Sequence, residues 1–387
     1  MVARKLIALC ALCCAVMAPA LHSAVDFVFT PAITFADVTR MHLFDISRAG
    51  ERLVAVGARG LIIVSEDDGQ NWRQAAVPVS ATLTAVSFPT PDKGWAVGHA
   101  GTILHSDDGG SSWQLQFDGR AVNKQYLEFT RSERKKLQSE MDALQQSAGS
   151  TAADASGLLL KKMERSLEDA VYAEEDAQLA LEGCPADPFL DVLFVSADTG
   201  FAVGAYGMIY RTEDAGTSWH AGYTGIENID RYHYYSLAKA AGGLLYLSGE
   251  AGLLYRSTDG GLSWERLESL YDGSLFGVVA QDDYVIAFGL RGNIFRSDDR
   301  GYAWSRVDNS SENSLYGGSV LADDSVLLLG SAGLVLRAQN AGATFRPFND
   351  SGRTTFSAAI GGRGGEVWAV GMNGLRHLDM KDLRGDD

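Results

Sequence analysis

The apolar positions of this chain fall into short runs that end in a glycine, and the runs recur. VAVGARGLIIVSEDDGQNW begins at Val54, WAVGHAGTILHSDDGGSSW at Trp95 and FAVGAYGMIYRTEDAGTSW at Phe201. YLSGEAGLLYRSTDGGLSW, IAFGLRGNIFRSDDRGYAW and LLLGSAGLVLRAQNAGATF follow from Tyr246, Ile286 and Leu327, and a shortened WAVGMNGLRHL from Trp368. The first glycines of the G-x-x-G pairs are Gly57, Gly98, Gly204, Gly249, Gly289, Gly330 and Gly371, spaced by 41, 106, 45, 40, 41 and 41 residues. Short apolar runs bounded by glycine and polar turns predict strands. A further β-rich segment precedes each glycine pair, and a tryptophan opens another after it, so each copy holds four strands. Four strands in a period of about 40–45 residues predict a propeller blade. Seven copies predict an all-β, seven-bladed β-propeller over 25–118 and 189–380.

The shortened last copy lacks a fourth strand. The alternating segment Val25, Asp26, Phe27, Val28, Phe29 is expected to supply it, as an N-terminal strand over 25–31 that closes the last blade and covers its edge.

The one long spacing marks an insertion, 119–188, where the pattern changes to steps of three and four. Leu127, Thr130, Arg134, Leu137, Met141 and Leu144 follow that step, as do Leu160, Met163, Leu167, Ala170, Glu174 and Ala177 beyond a turn at Gly149–Ser156. The two series match as an antiparallel α-helical coiled-coil hairpin whose arms, about 25 residues each, reach roughly 38 Å. The polar breaks coincide, with Glu174 opposite Thr130 and within a turn of Arg134. Because the insertion follows a fourth strand, it should emerge on the face of the G-x-x-G turns and overhang it.

Composition refines this picture. Forty-three glycines against 8 prolines suit many tight turns. Arg4 and Lys5, an apolar run Leu6–Met17 and the small residues Ala18, Pro19 and Ala20 read as a signal peptide over 1–20, cleaved near Ala20, so the protein is expected to be periplasmic. The apolar run is too short to span about 30 Å of hydrocarbon, and no other stretch is long enough. Cleavage leaves 31 basic against 49 acidic residues, a net charge of −18. That balance excludes nucleic acid as a partner, since phosphate binding needs a basic footprint. Cys184 is then the one remaining cysteine, so no internal disulfide forms, and it receives no role.

Between the third and fourth strands lies S/T-x-D-x-G-x-x-W, the Asp-box of sialidase-type propellers. Its aspartates are Asp67, Asp108, Asp214, Asp259 and Asp299, and the sixth copy is degraded to Ala338, Asn340, Gly342 and Phe345. Five carboxylates on five hairpins around a rim cannot converge on one substrate atom. Their chemistry is to bond backbone amides across a turn while the glycine allows the left-handed bend.

The enzymatic alternative is a sialidase-like glycoside hydrolase, or a carbohydrate-binding propeller of the envelope. Hydrolysis of that kind needs an arginine triad, a Tyr/Glu nucleophile pair and an acid. The Arg-Ile-Pro motif is absent, and arginines on the G-x-x-G face are few: Arg59, Arg291 and Arg353. No metal spacing, nucleophile elbow or phosphate loop appears, so no catalytic, metal or cofactor site is assigned. Candidate partner-binding residues are the variable ones in the turns, Arg59, His99, Tyr206, Glu250, Arg291 and Asn373. Tyr232 and Tyr234 join them from the most aromatic stretch, with Tyr271 and Tyr316 ahead of later first strands. Tyrosine and arginine suit protein recognition.

The order V-G-x-x-G-x-I-x-x-S-x-D-x-G-x-x-W resembles the photosystem II assembly and stability factor family, a group of exported seven-bladed propellers. The resemblance covers 25–118 and 189–380. It implies a chaperone-like assembly factor, without cofactor, that binds membrane-protein subunits. Similar proteins of non-photosynthetic bacteria are associated with exporters of the resistance-nodulation-division type as periplasmic accessories. The helical insertion departs from the photosynthetic members, and the chain reads as the bacterial branch. The expected partner is a membrane protein or envelope-complex subunit, met through the hairpin 121–186 and the G-x-x-G face.

Overall fold

The computed structural model describes residues 27–147, 153–183, 185–349 and 352–379. The signal peptide assigned to 1–20 and Cys184 lie outside them. Seven antiparallel sheets follow one another along the chain. Blade one is β1 (Leu43–Ala49), β2 (Arg52–Gly57), β3 (Ile62–Ser65) and β4 (Arg73–Gln74), and blade two is β5 (Leu83–Ser87), β6 (Gly94–Gly98), β7 (Ile103–Ser106) and β8 (Gln114–Phe117). Blade three is β9 (Phe189–Phe194), β10 (Gly200–Gly204), β11 (Ile209–Thr212) and β12 (His220–Ala221). Blade four is β13 (Tyr234–Lys239), β14 (Leu245–Gly249), β15 (Leu254–Ser257) and β16 (Glu265–Arg266). Blade five is β17 (Gly277–Gln281), β18 (Tyr284–Phe288), β19 (Ile294–Ser297) and β20 (Ser305–Arg306). Blade six is β21 (Leu315–Val320), β22 (Val326–Gly330), β23 (Leu334–Ala338) and β24 (Arg346–Asn349); blade seven has three strands, β25 (Phe356–Gly361), β26 (Val367–Gly371) and β27 (Gly374–Leu378).

The second strand of each blade reads as an unbroken apolar run because both faces are covered. In β2, Val54 and Val56 pack with Leu83, Val86 and Leu104 of blade two, while Leu53 and Ala55 pack with Trp368 and Val370 of blade seven. The Asp-boxes hold the turns outside these strands. In blade four the Ser257 hydroxyl donates to Asp259 Oδ1 at 2.8 Å and accepts the Gly261 N–H at 2.8 Å. Asp259 also accepts the Ser263 N–H and hydroxyl, which holds its carboxyl down at about 2.

Blade seven corrects the expectation for the N-terminus. From Phe27 on, no strand over 25–31 joins it, and β27 remains its outer strand. The segment runs along blade one, where Phe27 O accepts the Ser80 N–H and Ala32 N–H donates to Val77 O. Pro31 lacks a ladder donor. Asp37 Oδ1 then accepts the Thr39 N–H, turning Val38–Arg40 into a single 3-10 turn beside β27. The ring closes instead on Asp68, which accepts from Arg48 (3.0 Å) and from the Arg363 N–H (2.6 Å), while its carbonyl accepts Trp368 Nε1 at 3.0 Å.

The insertion is α1 (Gly119–Ser147) and α2 (Ala153–Gly183), an antiparallel pair. Asp118 Oδ1 caps α1 by accepting the Arg120 and Ala121 N–H groups. The register is set by Asn123 donating to Ala180 O and by Arg131 and Arg134 converging on Glu174 at 3.2 and 2.5 Å. These cations hold the Glu174 carboxyl below its ordinary range. The hairpin leaves beside the G-x-x-G turn of blade two, where Gly101, Gly119 and Ala186 touch. None of its described residues lines the central cavity. Gln125 of α1 bonds the outer edge at β12, accepting the Ala221 N–H at 3.0 Å and donating to the carbonyl of the preceding Trp219 at 2.7 Å. The root of the hairpin is thus the edge cover of blade three.

Candidate binding face around the central channel

Each inner strand starts on the G-x-x-G face, and most start with a β-bulge. The pairing of inner with second strand shifts around Phe44, Thr84, Leu190, Tyr235, Tyr316 and Ser357. A bulge re-aims the extra side chain, and all six line one central cavity of ≈ 570 Å³, with Phe276 in the equivalent place of blade five. On blades four to six these residues form a continuous aromatic arc: Tyr235 and Phe276 have centroids 5.2 Å apart, and Phe276 and Tyr316 5.3 Å. His233 extends it to Tyr206, at 4.7 Å. Tyr206 and Tyr316 are exposed, as is Met372 across the mouth.

Below the arc sit two carboxylates, each bridging neighbouring inner strands. Asp45 accepts Ile46 N–H and, from blade two, Val86 N–H, both at 2.8 Å. Asp191 accepts Val192 N–H at 2.7 Å and, from blade four, Leu237 N–H at 2.6 Å. Removal from water pushes Asp45 up to about 6 and Asp191 up to about 7, the charge of Asp45 adding to the second shift. His42 and His99, also on the wall, are held below their ordinary value by burial.

The turn residues chosen from sequence all lie on this face but do not form one cluster. Arg59, Tyr206 and Arg291 occupy the same left-handed position of their turns, with φ of 58°, 52° and 56°. Only His99 of the eight lines the channel; Arg291 borders a separate hollow with Tyr271, and Asn373 another with Arg40. Glu250 meets His233 at 3.3 Å, beside Tyr206. Tyr234 is corrected outright: it is fully buried between blades three and four, and burial drives its hydroxyl pKa up. Tyr232 is half-buried against the same core. The alternation of the strand places His233 and Tyr235 at the channel mouth and turns Tyr232 and Tyr234 inward. Phe276 and Phe44 were missed, although counting back 13 or 14 residues from each first glycine finds one channel-lining residue in each blade.

The cavity wall has aromatic and small residues, two committed carboxylates, and no arginine or lysine. It offers stacking surface and backbone edges, and no cation for a sugar carboxylate. Among the described residues no cluster of side chains fits a metal ion, and no helix is long and apolar enough to cross a membrane.

The fold and this mouth define an Asp-box β-propeller with an aromatic funnel on its G-x-x-G face. A family profile described as photosynthesis system II assembly factor YCF48 matches residues 64–131 and 175–273. Over those residues the chain is similar to the photosystem II assembly factor-like propellers. A structure described as YCF48 bound to D1 peptide superposes with a TM-score of 0.58 at 17% identity, covering 89% of this chain and 97% of the other. YCF48 from Cyanidioschyzon merolae gives 0.58 at 16%, covering 91% and 99%. PorZ, an essential surface component of the type-IX secretion system of Porphyromonas gingivalis, gives 0.52 at 11%, covering 87% of this chain and 37% of the other. At these identities the likeness is one of fold. No curated protein sequence matches the chain.

Proposed function

We propose that the chain is a periplasmic, non-catalytic binding protein that acts as assembly factor or accessory subunit of an inner-membrane protein complex. The observation that carries the reading is the arc of Tyr206, His233, Tyr235, Phe276 and Tyr316 at the channel mouth. Aromatics of this kind give large contact area at small entropic cost, which suits an exposed segment of a partner protein. YCF48, the protein of the same fold described as bound to a D1 peptide, supports a peptide-like ligand. The bacterial branch of the family points to an exporter of the resistance-nodulation-division type as the first partner class to test.

The test is affinity capture from detergent-solubilised envelopes. The intact chain is compared with a Tyr235→Ala, Phe276→Ala, Tyr316→Ala variant, and with one whose hairpin is shortened by replacing residues 138–166 with a tight turn. The shortened form keeps Gln125 and the Arg134–Glu174 pair, so blade three stays covered. The reading predicts an inner-membrane protein on the intact chain and its loss from the triple variant. Equal capture by both would refute the funnel as the site, and binding to glycans with no protein captured would move the function to carbohydrate.

A further inference from the structure

We infer that the outer face of α2 is a self-association surface, on which α2 of a second copy seats antiparallel so that the two hairpins stack as one four-helix layer with the two α2 helices in the middle. This does not depend on the function proposed for the channel mouth. The inner face of α2 is spent on α1, with Ala177 buried and Glu174 held by two arginines. On the opposite side Leu158, Tyr172 and Leu179 are 73%, 66% and 62% exposed. With exposed Arg165 they recur at steps of seven residues, one line along the helix about 32 Å long at 1.5 Å per residue. Three large apolar side chains on one solvent-facing line are more than a monomer needs.

Charge selects the occupant. The first half of this face carries Lys161, Lys162 and Arg165, the second half Glu175 and Asp176, all exposed. A parallel copy would set like charge against like. An antiparallel copy, with its two-fold axis between Glu168 and Asp169, sets Leu158 against Leu179 and Arg165 over the Tyr172 ring. The same placement brings Lys161 and Lys162 against Glu175 and Asp176, each contact made twice. Cation–ring contact and opposed helix dipoles favour the arrangement. In this register the partner's α2 begins level with the end of the first, so the helices overlap along their whole length. An unfavourable pairing lies near the axis, where Glu168 and Asp169 meet their own copies.

Sedimentation equilibrium of the purified full chain tests this. A reversible dimer is expected, with Tyr172→Glu and Leu179→Glu together weakening it by about tenfold or more, and Glu168→Gln with Asp169→Asn tightening it. Reversing Lys161 and Lys162 to Glu should abolish dimerisation, and adding Glu175→Lys and Asp176→Lys should restore it, a rescue that unfolding cannot mimic. With Cys184→Ser, Leu158→Cys chains should crosslink to Leu179→Cys chains and not to one another. A chain monomeric at every concentration, a dimer indifferent to these changes, or Leu158→Cys self-crosslinking would overturn the proposal.

Discussion

The side chains that repeat from blade to blade spend their polarity on the backbone, and this has measurable consequences at single residues. Ser257 is buried and makes both a donor and an acceptor bond inside its Asp-box. Ser257→Ala leaves the Gly261 N–H without its partner and should cost about 1–3 kcal/mol, read as a lower urea midpoint with unchanged slope. Asp45 and Asp191 act with pH. Their folded pKa values of about 6 and 7 lie above the ordinary carboxylate value, so the folded state holds these protons more tightly than the unfolded one. Stability should therefore fall as pH rises from about 4 through about 7. Urea midpoints at pH 5 and pH 8 measure it. Repulsion among the excess acidic residues acts in the same direction, so the discriminating result is that Asp191→Asn flattens the difference. The Asp-box carboxylates work oppositely, Asp67 and Asp259 losing their contribution only as pH falls towards about 2.

At the scale of elements, the strands were legible because a blade's second strand is buried on both faces, and glycine marks each of its turns. The hairpin was legible because its seams share a register, and the structure puts Glu174 against Arg131 and Arg134 of the facing helix. Where it docks was not. Gln125 is one polar residue among many on α1, and only the outer strand of blade three shows that its amide completes an edge. Gln125→Ala should destabilise the protein by about 1–2 kcal/mol, and hydrogen exchange should show the Ala221 amide, which donates to Gln125 Oε1, losing protection first. The N-terminal strand failed for a related reason. Alternation in Phe27, Val28 and Phe29 satisfies the pattern, yet Pro31 lacks a ladder donor, and Ser80 and Val77 take backbone groups on either side of it. The parity of Tyr232 and Tyr234 was misjudged because it depends on a bulge that only strand pairing reveals.

For the whole molecule, the six bulges matter most, since one irregularity repeated around the ring brings residues from blades far apart in sequence to a single mouth. The hairpin root stands beside the G-x-x-G turn of blade two, so this face carries both a funnel and the base of an arm. The most direct measurement is site-specific photocrosslinking in living cells. A photoreactive amino acid replaces Tyr316 at the channel mouth or Tyr302 in the Asp-box turn of blade five, both exposed. The account predicts an inner-membrane protein crosslinked from 316 and none from 302. Crosslinks from 302 alone, or from neither position, would contradict it.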